Sequence, residues 1–350
     1  MRVKHPIVQN RWSRRVSILA GLTIVLGSSR TFGAAEIAGK PEKTEVTIAY
    51  TSPSAAFAPL FVASEAGLFA KSGLKAKVQF LNATVASKGI LSEEVDFFVD
   101  GATLIALRLS GARVKYFGAY MQQFTFQIWG AKEITKLEQL KGKTVAVFTP
   151  RGAIEIATRE TLKRSGLVPD RDVKFIYTQQ STSAILSAVL AGNASAGTLS
   201  APITLEAHNA GLNLLADIGE LRIPGLQGGY GTTEKSLTNN SNNIYAFSKA
   251  MAEGVVLARK DKAVAKKAIG KYVKVDDPKI LDASYDGYAP YWETSLAVRD
   301  PVIRAELDYL DAKEFPQAKN ALPREFFDNS FVENLERSGF FKSVGLVKTP

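Results

Sequence analysis

The feature that most constrains the fold of this chain is an internal repeat. Residues 44–73 (TEVTIAYTSPSAAFAPLFVASEAGLFAKSG) and residues 144–166 (TVAVFTPRGAIEIATRETLKRSG) each contain an apolar run, a proline-containing turn, a helical stretch and a final Ser-Gly pair. The match continues where residues 90–111 align with residues 189–211. Self-similarity on this scale predicts that each copy is one structural unit. The sequence therefore predicts two β-α-β-α-β-α lobes with one cleft between them.

Alternation of strands and helices with short turns predicts an α/β protein whose two sheets are parallel and covered by helices on both faces. Extended stretches near residues 125–131 and 228–232 are expected to cross between the lobes. The predicted domains are therefore residues 44–130 with 229–345 for lobe 1, and residues 131–228 for lobe 2. Ligands of such sheets bind beyond the carboxyl ends of the strands, where closure of two lobes can enclose a small solute.

Residues 1–35 carry the pattern of an export signal. A basic segment at 11–15 precedes an apolar run at 16–27, and small residues follow at 33–35. The apolar run is shorter than the about 20 residues that span a bilayer, which favours a cleaved signal peptide over a membrane anchor. Ser13-Arg14-Arg15 leaves twin-arginine export open beside ordinary secretion. Either route predicts a periplasmic protein.

Charge and composition exclude several classes of function. The formal net charge is +10, but residues 1–35 hold six of the 44 basic residues and none of the 34 acidic ones, so the remainder carries 38 against 34, or +4. This small excess argues against a nucleic-acid partner. The chain has no cysteine, and its two histidines are His5 and His208. Disulfides, thiolate nucleophiles and metal sites built from histidine clusters are excluded, and we expect no catalytic residues, metal or cofactor.

Five segments of the chain resemble one family. They are LSEEVDFFVDGA at 91–102, LEQLKGKTVAVFTPRGA at 137–153, LKRSGL at 162–167, SAVLAGNASAGTLSAP at 187–202 and DNSFVENLERSGF at 328–340. Together they are similar to the solute-binding proteins of nitrate/sulfonate/taurine-type ABC transporters, in the SsuA/THI5-like (NMT1-like) family. The resemblance covers residues 44–341 and departs from the family at Glu93, where glycine is usual.

The resemblance implies a type II periplasmic binding protein fold with two Rossmann-like α/β lobes and a ligand cleft between them. It also implies a monomeric receptor that delivers a small solute to an ABC transporter permease with its ATPase. The family binds chemically different ligands, and an anionic solute such as a sulfonate, nitrate, taurine or an aromatic acid is expected.

Candidate ligand contacts come from four loops that follow strands. Arg151 beside a helix N-terminus suits an anion, although a solvated loop arginine is the alternative. The serines of the first loop can bind ligand or cap a helix. The resemblance places Ser200 and Ala201 at the second-lobe contact, and Tyr50, Phe57, Tyr120, Trp129 and Tyr230 could form apolar walls. The predicted ligand-binding residues are Thr51, Ser52, Ser54, Ala55, Asp100, Gly101, Thr103, Thr149, Arg151, Gly152, Ser200, Ala201 and Tyr230.

Three functions remain compatible with these patterns. A transport receptor agrees with the export signal, the repeat and the resemblance. Enzymes of the same fold occur in thiamine-pyrimidine and menaquinone pathways, but the pyrimidine-forming type depends on histidine and a cysteine-rich motif that this chain lacks. A ligand-sensing module that reports to a partner receptor is the third possibility.

Overall fold

Two five-stranded sheets organise the part of the chain that the computed structural model describes, residues 39–179 and 181–346. The predicted signal peptide at 1–35 lies outside these residues. The strands, in chain order, are β1 Glu45–Tyr50, β2 Lys75–Phe80, β3 Phe97–Asp100, β4 Val114–Gln123, β5 Gln127–Gly130, β6 Lys143–Val147, β7 Val173–Tyr177, β8 Ala196–Leu199, β9 Asn213–Asp217 and β10 Pro224–Thr233. The first sheet has the order β2-β1-β3-β10-β4 and the second the order β7-β6-β8-β5-β9.

The two sheets repeat one pattern. In the first, β1 pairs in parallel with β2 and β3; in the second, β6 pairs in parallel with β7 and β8. The predicted duplication and the two-lobed α/β class are therefore confirmed. We call the first sheet with its helices the first lobe, and the second sheet with its helices the second lobe.

The expectation of purely parallel sheets is wrong. Strand β10 runs antiparallel to β3 and β4, and β5 runs antiparallel to β8 and β9. Both strands follow directly on the crossings between the lobes, with no crossover helix before them. Parallel pairing requires a long crossover connection, so a strand that enters its sheet straight from the other lobe is free to pair in the opposite direction.

Sheet membership places the crossings a few residues earlier than the sequence suggested. Residues 127–130, assigned to lobe 1, pair in the second sheet as β5, and residues 224–228, assigned to lobe 2, belong to the first sheet as part of β10. The two crossing segments run side by side, because Phe124 N–H donates to the carbonyl of Ile223 at 3.0 Å. With sheet membership as the criterion, the chain crosses near residues 124–126 and returns near residues 218–223.

Helices cover both sheets, and most of them belong to the first lobe. Those of the second lobe are α5 Ala153–Arg164, α6 Thr182–Leu190 and α7 Ile203–Asn209. Those of the first lobe are α1 Ala58–Glu65, α2 Leu68–Lys71, α3 Ala83–Leu91, α4 Thr103–Leu109, α8 Glu234–Asn239, α9 Ser241–Lys260, α10 Lys262–Val273, α11 Pro278–Asp286, α12 Asp300–Tyr309, α13 Ser330–Arg337 and α14 Phe340–Val344. The helices that follow β10 pack against the cores of the first lobe. Among the described residues, no helix is long and apolar enough to cross a membrane.

The helical stretch predicted within residues 44–73 is interrupted. A 3₁₀ turn at Ala55–Phe57 leads into α1, and Gly67 adopts a φ of 67° between α1 and α2. Glycine tolerates this left-handed conformation, which ends the first helix. Leu60, Phe61 and Val62 of α1 are all fully buried. Their dense apolar character follows from the position of α1 between the first sheet and the long helix α9.

Candidate functional site

A cleft of about 520 Å³ lies between the lobes, at the carboxyl ends of β1, β3, β6 and β8. This is the edge at which open α/β sheets bind ligands. Its volume lies within the range of about 300–1,000 Å³ that is usual for pockets that hold small molecules. The first-lobe side is built from the loops after β1 and β3 together with α12, and the second-lobe side from the loops after β6 and β8.

The polar floor of the first lobe is centred on Asp100. Because β1 and β3 are neighbouring parallel strands, with Tyr50 opposite Val99, the residues that follow them meet at one edge. The hydroxyl of Thr51 donates to Oδ1 of Asp100, and the N–H of Thr103 donates to Oδ2 at 3.3 Å. Asp100 is 8% exposed and lines the cleft. These bonds orient a buried carboxylate toward the cavity.

Tyr288 connects the two lobes behind this floor. Its hydroxyl accepts a hydrogen bond from Oγ of Ser54 at 3.4 Å, and it also interacts with the side chain of Ser200 in the second lobe. Tyr288 is 3% exposed, and burial raises the pKa of its hydroxyl. Ser54 in addition caps the 3₁₀ turn by accepting from the N–H of Ala56 at 3.2 Å. The capping role considered for the first-loop serines is therefore present, and Ser54 still borders the cleft.

Arg151, the second-lobe candidate for an anion clamp, is directed toward acids of the first lobe. Its Nη1 lies 3.0 Å from Oδ2 of Asp311 and 3.3 Å from Oε2 of Glu314. The side chain is 60% exposed, so the guanidinium lies at the rim of the cleft. The backbone N–H of Arg151 donates to the carboxylate of Glu155, which belongs to the first turn of α5. A carboxylate thus already occupies the positive end of this helix, where an anionic ligand was expected.

Glu306 on α12 is the most deeply buried acid of the site. It is 6% exposed, and its Oε1 accepts from the N–H of Leu226 at 2.6 Å. Burial raises the pKa of Glu306 to about 7; the Leu226 N–H opposes this rise and the neighbouring Asp100 carboxylate adds to it. In the part of the chain that the structure describes, Oε2 has no hydrogen-bond partner. One oxygen of a buried carboxyl group that lines the cleft is therefore available to a ligand.

Aromatic rings form much of the remaining wall. Phe124 and Phe126, from the crossing segment, stack at 6.0 Å, and Phe124 also lies 6.0 Å from Tyr309. The aromatic residues on the wall are Phe57, Phe124, Phe126, Phe148, Tyr288, Tyr309 and Phe315. Of the five aromatic residues expected there, Phe57 is present, whereas Tyr50, Tyr120, Trp129 and Tyr230 are buried in the lobe cores. These four residues therefore belong to the lobe cores and do not line the cleft.

Nine of the thirteen predicted contact residues line the cleft: Thr51, Ser52, Ser54, Asp100, Gly101, Thr103, Thr149, Arg151 and Ser200. Ala55 is buried in the first-lobe core, and Gly152 packs against Thr149. Ala201 packs against Gly287 of the first lobe. Tyr230 is fully buried with its ring 5.0 Å from that of Phe117. These four residues are not on the cleft wall.

The sequence did not reveal the contributions of the C-terminal segment. Tyr288, Glu306, Tyr309, Asp311 and Glu314 all line the cleft, although their stretch was expected only to pack on the first lobe. One feature of the α12 sequence could have indicated a functional residue. Glu306 shares the buried face of this helix with Val302, Ile303 and Leu307, where an apolar residue is expected. A carboxylate on an apolar helix face marks a candidate functional residue.

Comparisons with known proteins agree with this geometry. Residues 54–265, more than half of the chain, match the family model described as NMT1/THI5 like. No curated protein sequence is found to match the chain. Among the described residues, no group of three or more histidine, cysteine, aspartate or glutamate side chains is arranged to hold a metal ion.

Several solved structures share the fold. The periplasmic aliphatic sulphonate binding protein SsuA from Escherichia coli is 17% identical in sequence, with a TM-score of 0.67. The aligned region covers 82% of this chain and 92% of the SsuA chain. The periplasmic nitrate-binding protein NrtA from Synechocystis PCC 6803 is 16% identical in sequence, with a TM-score of 0.64. The aligned region covers 89% of this chain and 93% of the NrtA chain. A mutant of DszB in complex with biphenyl-2-sulfinic acid is 12% identical in sequence, with a TM-score of 0.60. The aligned region covers 84% of this chain and 100% of the DszB chain.

Proposed function

This chain belongs to the NMT1/THI5-like family, and we propose that it is the solute-binding component of an ABC importer. In this role it captures a small solute between its lobes in the periplasm and delivers it to a permease with its ATPase. The observation that carries the proposal is the cleft of about 520 Å³ between two duplicated lobes, lined by polar loop residues and aromatic rings.

Capture by lobe closure is supported by the small number of connections between the lobes. Two adjacent crossing segments join them, and the N–H of Phe124 in one donates to the carbonyl of Ile223 in the other at 3.0 Å. Elsewhere the rims meet through side chains such as Arg151 and Asp311. A pair of adjacent segments that absorbs backbone rotation is the usual hinge of binding proteins that close around a ligand.

The shared fold does not identify the chemical class of the solute. SsuA and NrtA are described as sulfonate-binding and nitrate-binding proteins, and at 17% and 16% identity they indicate a shared architecture. The expectation of an anionic solute rested on Arg151 and on the N-terminus of α5. Because both are engaged by carboxylates of this chain, the receptor proposal does not depend on an anion.

An enzymatic function of the same cleft is favoured by one observation. Glu306 is a buried carboxyl group with a pKa of about 7 beside Asp100, which suits an acid–base catalyst near neutral pH. DszB shows that the fold also occurs in a protein described with a bound sulfinic acid. Conversion of a bound compound by the purified chain, lost in Glu306→Gln, would favour this alternative over a receptor.

The receptor proposal is tested on protein purified from the periplasm of a bacterium that expresses the full chain. A panel of small anions, amines, zwitterions and aromatic compounds is screened by thermal shift, and each positive compound is examined by calorimetry and small-angle X-ray scattering. We expect at least one compound to raise the melting temperature saturably and to reduce the radius of gyration. Absence of the protein from the periplasm, or binding with no change in the radius of gyration, would contradict the proposal.

A further inference from the structure

The charges that line the cleft are predominantly negative. Its acidic residues are Asp100, Glu306, Asp311 and Glu314, and among the described lining residues Arg151 is the one cation. Arg151 is already paired with Asp311 and Glu314 at the rim. Toward the interior, Asp100 and Glu306 therefore face the cavity without a cationic partner. The Asp100 carboxylate and, above about pH 7, the ionised Glu306 repel an anion placed beside them and attract a cation.

The hydrogen-bonding capacity of these acids is incompletely used. Glu306 lines the cavity; its Oε1 accepts from the N–H of Leu226, whereas its Oε2 has no hydrogen-bond partner among the described residues. Asp100 holds one hydrogen bond on each oxygen, and a carboxylate oxygen can accept two. Since Glu306 is 6% exposed and Asp100 is 8% exposed, bulk water reaches them poorly. Buried acceptors of this kind call for donors on the ligand.

The walls around the acids suit an apolar body rather than a small hydrated ion. Phe124, Phe126 and Phe148 lie on the wall together with Tyr309. Aromatic rings bury apolar and aromatic surfaces, and their faces also attract a nearby cation. A cavity of about 520 Å³ leaves room for a ring-containing molecule.

From these observations we infer that the solute is an organic cation, an ammonium- or amidinium-bearing molecule with an aromatic body. Its N–H groups bond Glu306 and Asp100, and its ring lies among Phe124, Phe126 and Phe148. The inference rests on the proposed receptor function and names the class of solute that this function serves.

The test uses three probes that share a phenylethyl body and differ in the head group: 2-phenylethylamine, 2-phenylethanesulfonate and 3-phenylpropionate. Binding to the wild-type chain is measured at pH 8, above the pKa of about 7 of Glu306, by calorimetry and by saturation-transfer NMR at concentrations up to about 10 mM. We expect the amine to bind at least about tenfold more tightly than either anion, because its charge matches the cavity. Anion binding equal to or tighter than amine binding overturns the inference, and so does the absence of amine binding.

Three substitutions locate the effect. Glu306→Gln preserves side-chain shape and removes the charge, so amine affinity is expected to fall about tenfold while the affinities of the anions do not fall. Asp100→Asn is a second variant with the same expectation, in case the first fails to fold. Glu333→Gln on α13 is the matched control, since Glu333 is exposed and does not line the cleft. Unchanged amine affinity in both cleft variants contradicts the inference.

The outcomes separate this inference from the receptor proposal. Tight binding of an anion with closure of the lobes would overturn the cationic class and leave the receptor function supported. Binding of the amine with no closure would instead count against the receptor.

Discussion

Arg151 of the second lobe and Asp311 of the first lobe form an ion pair across the rim of the cleft, with Nη1 of the guanidinium 3.0 Å from Oδ2 of the carboxylate. Oε2 of Glu314 lies 3.3 Å from the same Nη1 atom of Arg151. The Lys313 N–H and, next, Arg151 lower the pKa of the Asp311 carboxyl group. The contact bridges the rims of the two lobes, so we expect it to break when the cleft opens.

The first prediction concerns this pair. Asp311→Asn and Arg151→Ala should each weaken solute binding by about two- to fivefold, because an exposed ion pair contributes less than about 1 kcal/mol to the closed state. The effect should shrink at high salt, which screens exposed charges. Calorimetry on both single variants and on the double variant checks whether the losses of solute affinity in the two single variants are additive.

The same experiment distinguishes a rim contact from an anion clamp. A rim contact predicts that the double variant loses little more than either single variant. A clamp predicts that Arg151→Ala alone removes roughly 1.5–3 kcal/mol of anion binding. A large loss restricted to Arg151→Ala would refute the rim assignment.

The second prediction concerns the approach of Ala201 to Gly287. A Cβ atom added at Gly287 would lie 2.4 Å from Cβ of Ala201, which belongs to the other lobe. Gly287→Ala should therefore hinder closure and weaken solute binding by about tenfold, while the open form keeps its stability. Small-angle X-ray scattering in saturating solute should show a larger radius of gyration for Gly287→Ala than for the wild type.

A reciprocal substitution provides the control. Ala201→Gly in the Gly287→Ala background removes the opposing methyl group and should restore most of the affinity. Failure to restore it would show that Gly287→Ala acts inside its own lobe, for example on Ala283, whose carbonyl would lie 3.2 Å from the new Cβ.

The third prediction concerns Tyr230, which the sequence placed in the site. Its ring is fully buried among Phe117 and Phe247, and its hydroxyl has no hydrogen-bond partner among the described residues. Tyr230→Phe should leave solute affinity unchanged and raise the free energy of unfolding by up to about 1 kcal/mol, because an unpaired buried hydroxyl is costly. Urea unfolding and calorimetry check both parts; a clear loss of affinity would return Tyr230 to the site.

The sequence predicts the part of the site that the repeat creates. Thr51 follows β1 and Asp100 follows β3, and parallel pairing alone brings such residues to one edge. Glu306 and Tyr288 come from outside the repeat, and their positions depend on how the C-terminal helices pack. That packing is a tertiary property, which periodicity within one helix does not determine. Arg151 was predicted to contact an anionic ligand; in the structure it lies at the rim of the cleft, and its partners Asp311 and Glu314 could not be predicted because they are about 160 residues distant in sequence and belong to no motif.

The last prediction concerns the pH dependence that Glu306 imposes. Burial raises the pKa of Glu306 from 4.5 to about 7 in the folded chain. The titratable groups that face it are Asp100 at the end of β3, Tyr116 on β4 and Tyr309 on α12, and β10 supplies the Leu226 N–H. Between pH 4.5 and 7 the folded protein therefore holds a proton that the unfolded chain has released.

The sign follows from this difference in bound protons. The contribution of Glu306 to the free energy of unfolding is complete below pH 4.5, is lost as the pH rises through about 7, and stays absent above it. The two pKa values correspond to a total loss of about 3 kcal/mol. Glu306→Gln should remove this fall, whereas the exposed Glu333→Gln should retain it. Urea unfolding of the three proteins from pH 4 to 8 measures the slopes, and parallel curves for wild type and Glu306→Gln would disprove the assignment.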